Sequence, residues 1–153
     1  MLELPGQSAL SNFRLAKLTR SLQRADERVK ADDANFVYIV DTNAKHSKQD
    51  RSRLNALLHA GGGPGKVGKL TKKLYVVPRP GTISPWSSKA TDIVRACDID
   101  TVERVERGIC YGLRFSANVD DDAISALRPL LFDRMTEAVF AEAEQAAALF
   151  AAH

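Results

Sequence analysis

A chain of 153 residues with 44% apolar and 27% charged side chains is long enough for a sizeable core and too apolar for extended disorder. Its net charge of +3 is mild, and cations alternate with acids in Glu103-Arg104-Val105-Glu106-Arg107, so bulk charge does not select nucleic acid as a partner. No stretch approaches the roughly 18 apolar residues of a membrane helix, and Met1 to Pro5 lacks the regions of a secretory signal, which makes the cytoplasm the expected compartment.

Ser8 can cap a first helix reaching about Ala25, with Leu15, Leu18 and Leu22 on one stripe. Asn35 to Thr42 contains Phe36-Val37-Tyr38-Ile39-Val40, a branched and aromatic run that predicts a strand covered on both faces. Ser47 and Asp50 fit a capping box before a second helix carrying Leu54, Leu57 and Leu58, which Gly61 should end. Gly61 to Gly68 holds five of the nine glycines and Pro64, followed by Lys69, Lys72 and Lys73. It reads as a mobile surface loop leading to a strand at Leu74 to Val77.

Ser84 at a cap and Pro85 at the first helical position predict a third helix, with Ala90, Ile93, Val94 and Cys97 on its buried face. Ile109, Tyr111, Leu113 and Phe115 alternate as a half-buried strand does. Asp120 or Asp121 begins a helix through Ile124 and Leu127, and Pro129 restarts a last helix through Phe132, Met135, Val139 and Phe150. Three or four strands mixed with five helices favour an α+β fold, a mainly antiparallel sheet with helices packed on one side. A doubly wound α/β sheet is the competitor. The residues show no internal repeat and no linker, so residues 1–153 read as a single domain.

Little of this carries recognisable chemistry. Gly63 to Lys69 mimics a phosphate-binding loop, but Leu70 stands where a hydroxyl should hold magnesium, and the loop follows a helix instead of a strand. His46, His59 and His153 do not cluster, and no catalytic triad assembles. Cys97 and Cys110 have no histidine nearby, so they are expected to be ordinary buried or half-buried thiols, with no metal site. The distinctive segment runs from Pro78 through Arg79, Thr82, Ser84, Trp86, Ser87, Ser88 and Lys89 to Asp92 and Ile93. It puts the only tryptophan, several hydroxyls and two cations at a helix start, whose unpaired backbone donors suit an anion. The physical readings are a capped turn with a packed tryptophan, an anion-facing surface, or an interface.

The run Pro78-Arg79-Pro80-Gly81-Thr82-Ile83-Ser84-Pro85-Trp86-Ser87-Ser88-Lys89-Ala90-Thr91-Asp92-Ile93 resembles the signature near the start of the large, single-chain phosphoribosylformylglycinamidine synthases, also called formylglycinamide ribonucleotide amidotransferases. Leu4 to Lys17, Arg104 to Ile109 and Asp133 to Glu137 are similar to the same family, so the resemblance spans nearly the whole chain. It implies a purine-biosynthetic enzyme that makes the amidine from formylglycinamide ribonucleotide, glutamine and ATP. It also implies an amino-terminal domain resembling a fused pair of the small subunit of the multi-subunit enzyme. The partners so implied are the synthase and glutaminase domains of the same chain, with neither nucleic acid nor membrane. This domain would hold no catalytic residue, cofactor or metal, while the full enzyme would use ATP and magnesium. Arg79, Thr82, Ser84, Trp86, Ser87, Ser88, Lys89 and Asp92 are then candidates for an interface or substrate cleft. Two departures stand out: Asp98 where the family commonly has glycine, and the glycine-rich stretch at Gly61 to Gly68. The rival readings are a stand-alone basic module for nucleic acid or another anionic partner, and a small enzyme using the serine-rich turn.

Overall fold

The computed structural model describes residues 2–43, 48–58, 70–79, 83–142 and 145. Five strands, β1 (Leu2–Ser8), β2 (Val29–Thr42), β3 (Thr71–Pro78), β4 (Val102–Phe115) and β5 (Glu137–Phe140), form one sheet in the order β1-β2-β4-β3-β5. Every pairing is antiparallel, which supports the α+β expectation and excludes the doubly wound alternative. Among the described residues four helices accompany them: α1 (Asn12–Gln23), α2 (Lys48–Leu57), α3 (Pro85–Ala96) and α4 (Asp121–Leu127).

The sheet is built on β2 and β4, which pair from Val29 opposite Phe115 to Thr42 opposite Val102. Strand alternation sends Val105, Ile109, Tyr111, Leu113 and Phe115 of β4 to one face. Across the ladder they meet Val40, Phe36 and Ala34, then Ala31 and Val29 beyond a bulge, on the same side. At one end of that face, Leu22 of α1 and Leu127 of α4 close over Val29, Ala31, Leu113 and Phe115. At the other, Leu54 of α2 and Val94 of α3 close over Leu4, Tyr38, Val40 and Val105. The register therefore puts the helices on a single face. The opposite face carries a smaller apolar group of Ile39 and Val77, with Phe140 against it. The order strand, helix, strand, helix occurs twice, and the two halves meet at the β2–β4 ladder. A repeat invisible in the residues is thus plain in the elements.

Several boundaries differ from the sequence reading. β1 was not anticipated, because Pro5 and Gly6 obscure it. An edge strand tolerates a proline, and Pro5 sits on that edge opposite Val37. Ser11, not Ser8, caps α1, accepting from Arg14 N at 3.2 Å, while Ser8 Oγ donates to the Leu10 carbonyl. β2 and β4 each begin well before the apolar runs that announced them. The last helix does not form over 129–140. Pro129 lies in a short 3-10 turn, Arg128–Leu130, and the chain then turns into β5. Asp133 organises that turn, its carbonyl accepting from Thr136 N and Glu137 N and its carboxylate from Met135 N. Glu137 Oε1 answers by accepting from Asp133 N at 3.0 Å. Such local side-chain bonds compete with helix formation, and β-branched Val139 suits the strand that follows. The expected cap at Ser47, the Gly61 to Gly68 loop, all three histidines, Thr82 and Phe150 lie outside the described residues.

The start of α3 follows the sequence rules closely. Ser84 is the cap with extended backbone angles, and Pro85 follows it at the helix start. The other end carries the departure noted above. Asp98 is the only described non-glycine residue with positive φ, at 63°. Its amide donates to the Arg95 carbonyl at 3.1 Å, and Arg53 of α2 donates to the Cys97 carbonyl. A left-handed residue at a helix stop is cheapest as glycine, since an L-residue there meets a Cβ penalty of roughly 1–2 kcal/mol. Asp98→Gly is expected to stabilise the chain by about 0.5–1 kcal/mol, the rest of the gain being offset by glycine's freer unfolded state. Thermal denaturation checks this; an unchanged or lower midpoint contradicts the strain assigned to Asp98.

Candidate interface at the start of helix α3

The hydroxyl-rich helix start divides into an inner and an outer set. On the inner side, Ser84 Oγ accepts from Ser87 N at 3.0 Å and donates to Glu106 Oε1 at 2.8 Å. Ser87, wholly buried, donates its hydroxyl to the Val105 carbonyl at 2.5 Å and accepts from Arg104 Nε at 3.3 Å. Thr91 Oγ1 accepts from Val105 N at 3.0 Å. Arg104 Nη2 then meets Glu106 Oε2 at 2.7 Å, with Glu106 only 1% exposed. Three hydroxyls therefore fasten α3 to β4 where β3 no longer pairs with it, two of them bonding to members of an ion pair within β4. A buried carboxylate is tolerated only with partners of this kind.

The outer set faces a groove. Trp86 is half-buried and stacks on Tyr38, with ring centres 5.9 Å apart and planes inclined by 27°. The Arg107 guanidinium lies 4.8 Å from the Trp86 ring centre and 4.6 Å from that of Phe36. Attraction to both ring quadrupoles holds this cation in place. The groove beside it encloses about 370 Å3 between α2 and α3, with Leu57, Leu58, Ile93 and Tyr38 supplying apolar walls and Lys89 a second cation. Burial raises the Tyr38 phenol above its usual pKa, and Arg107 partly counters the rise.

The structure brings Trp86, Lys89 and the groove together, with Ser88 and Asp92 exposed on the same helix. Ser84 and Ser87 are spent on the inner network. Arg79 is exposed at the end of β3, its amide donating to the Thr136 carbonyl at 2.9 Å. Tyr38, Arg107 and Glu106 were missed. The signal was present: extending the alternation of Ile109 to Phe115 backwards puts Arg107 in the apolar row beside Val105. A cation at a core-facing position marks either a buried pair or a ligand surface.

Both cysteines are free thiols of intermediate exposure, as expected. Cys110 pairs with Tyr75 across the helix-free face, and burial raises the pKa of both groups. A raised thiol pKa disfavours the thiolate that nucleophilic chemistry needs. Among the described residues no group of three or more His, Cys, Asp and Glu side chains is arranged to hold a metal ion. No described helix is long and apolar enough to cross a membrane.

Residues 35–150 match the family of formylglycinamide ribonucleotide amidotransferase N-terminal domains. The chain belongs to that family. The match takes in the whole α3 start, Arg107 and its aromatic neighbours, and the β5 turn around Asp133. Residues before it supply β1 and α1, which are continuous with the same sheet and core. The family name ties this fold to an enzyme of purine biosynthesis.

Proposed function

We propose that this chain is the non-catalytic amino-terminal domain of a formylglycinamide ribonucleotide amidotransferase, and that the face around α3 docks on the synthase domain of the same polypeptide. In this reading the whole enzyme converts formylglycinamide ribonucleotide to the amidine in the cytoplasm, with ATP, magnesium and glutamine consumed or held by other domains. The likeness of this domain to a fused pair of small subunits is consistent with its twice-occurring strand-helix-strand-helix order. The observation that carries the docking role is the half-exposed Trp86 beside an open, mostly apolar groove, secured from behind by the Ser84, Ser87 and Glu106 network. A rigid aromatic on a fixed helix is the kind of anchor that dominates interface energies.

The test uses the full-length enzyme. Trp86→Ala removes an anchor whose loss at an interface costs on the order of 2 kcal/mol, so kcat/KM or thermal stability should fall measurably, with kcat/KM down about tenfold or more. Lys89→Ala should have a smaller effect in the same direction. Normal kinetics together with normal stability in both variants would remove the basis for the docking role.

A further inference from the structure

We infer that the groove between α2 and α3 receives an acidic side chain carried on an apolar segment of the partner domain, with Arg107 and Lys89 as its counter-charges. The inference rests on the docking role proposed above and gives that contact its chemistry. The two cations line one groove. Among the described residues neither the Lys89 ammonium nor the Arg107 guanidinium forms an ion pair with a carboxylate within 4 Å. The Arg107 guanidinium lies over both the Phe36 and Trp86 rings, 4.6 and 4.8 Å from their centres, and attraction to the two rings restrains it before any partner arrives. Preorganised guanidinium donors are suited to a carboxylate, which accepts them two at a time.

The surrounding sequence sharpens the charge complementarity. Between Asp50 and Asp92 there is not one acidic residue, while residues 51–91 contain eight Lys and Arg. The remainder of the chain holds 14 Lys and Arg against 19 acids. All of the net positive charge is therefore concentrated in the segment that supplies both helical walls of the groove, with Arg107 added from β4. Asp92, one turn beyond Lys89 on α3, is exposed and makes no ion pair with it. The apolar walls argue against a polyanion as occupant. Tyr38 stacks on Trp86 and Arg107 lies over the same ring, which disfavours a stacked base there while the half-exposed remainder of Trp86 stays open to an apolar neighbour. Leu57 and Ile93 instead offer aliphatic surface to a neighbouring side chain of the same segment, and Ile93 is 48% exposed.

Zero-length carbodiimide coupling on the full-length enzyme tests this, because it joins an amine only to a carboxylate already in contact. Mass spectrometry should find Lys89 linked to an Asp or Glu outside residues 1–153, apart from any internal link to Asp92. In Arg107→Gln the yield of that link should fall about fivefold, the effect of losing one solvent-accessible charge partner, and Arg107→Lys should restore part of it. If no such link forms while Trp86→Ala and Ile93→Asp still impair the enzyme, the face docks but its partner is not acidic, and only this inference falls. If no link forms and both variants behave as wild type, the docking role falls with it. Binding of single-stranded RNA that weakens steeply with salt and is lost in Arg107→Gln would assign the groove to a different occupant and overturn the inference.

Discussion

Arg104→Ala is expected to destabilise the 153-residue chain by about 3–5 kcal/mol, a large part of the whole stability of an ordinary domain. The cause lies with the residue left behind. Glu106 is 1% exposed, and Arg104 is its 2.7 Å charge partner, itself only 12% exposed. Without the guanidinium, Glu106 keeps the Ser84 hydroxyl and a 3.3 Å contact from the Arg107 amide, neither of which neutralises it. The Ser87 hydroxyl loses a donor at the same time. Replacing both members of the pair, as in Arg104→Met with Glu106→Leu, removes the stranded charge and should recover most of the loss. Urea denaturation of the two variants separates the explanations. If the double variant is as unstable as Arg104→Ala, the cost comes from lost packing and not from an uncompensated carboxylate.

The second large effect belongs to Gly108→Ala. A methyl group on Gly108 would stand 2.7 Å from the Val76 carbonyl oxygen and 2.7 Å from Val77 Cγ1, both on β3. The carbonyl is main chain in a paired strand and cannot swing aside, so β3 and β4 must part where they shield Ile39 and Val77. Overpacking of this kind costs about 1–3 kcal/mol and more when backbone has to move. Gly112 makes an instructive contrast. The group nearest a Cβ there is the Asp33 carboxylate, the end of a rotatable side chain, which can turn away. Gly112→Ala should therefore cost well under 1 kcal/mol, helped by alanine's lower entropy loss in a strand. Equal destabilisation by the two substitutions would contradict this account of the ladder.

The sequence and the structure agree where a local rule has no rival. Ser84 and Pro85 start a helix by capping chemistry alone, and Asp120 does the same for α4. Ile109 to Phe115 alternate because one face is covered. Disagreement begins where distant residues decide. β1 is a strand only because β2 lies beside it, and nothing in Leu4-Pro5-Gly6 announces that partner. The stretch after Pro129 has helical spacing, yet the bonds of Asp133 and the free edge of β3 draw it into a turn and a strand.

The candidate site shows the same division. The signature at Arg79 to Asp92 was legible as a special helix start, but which hydroxyls face inward was not. That depends on β4 crossing behind α3, which converts Ser84 and Ser87 from prospective ligand groups into fasteners. Arg107 was hidden for a related reason. Within Arg104-Val105-Glu106-Arg107 the charges look mutually neutralising, whereas strand alternation turns Arg104 and Glu106 to one side and Arg107 to the other.

The long central ladder also has a consequence for the order of synthesis. β2 is complete at Thr42, but the strand that fills its inner edge does not begin until Val102, some sixty residues later. A nascent chain leaving the ribosome amino terminus first thus presents a fourteen-residue strand with an unsatisfied hydrogen-bonding edge for several seconds. Through that interval the emerging polypeptide is open to pairing with other newly made copies, and a holdase chaperone has its clearest target there.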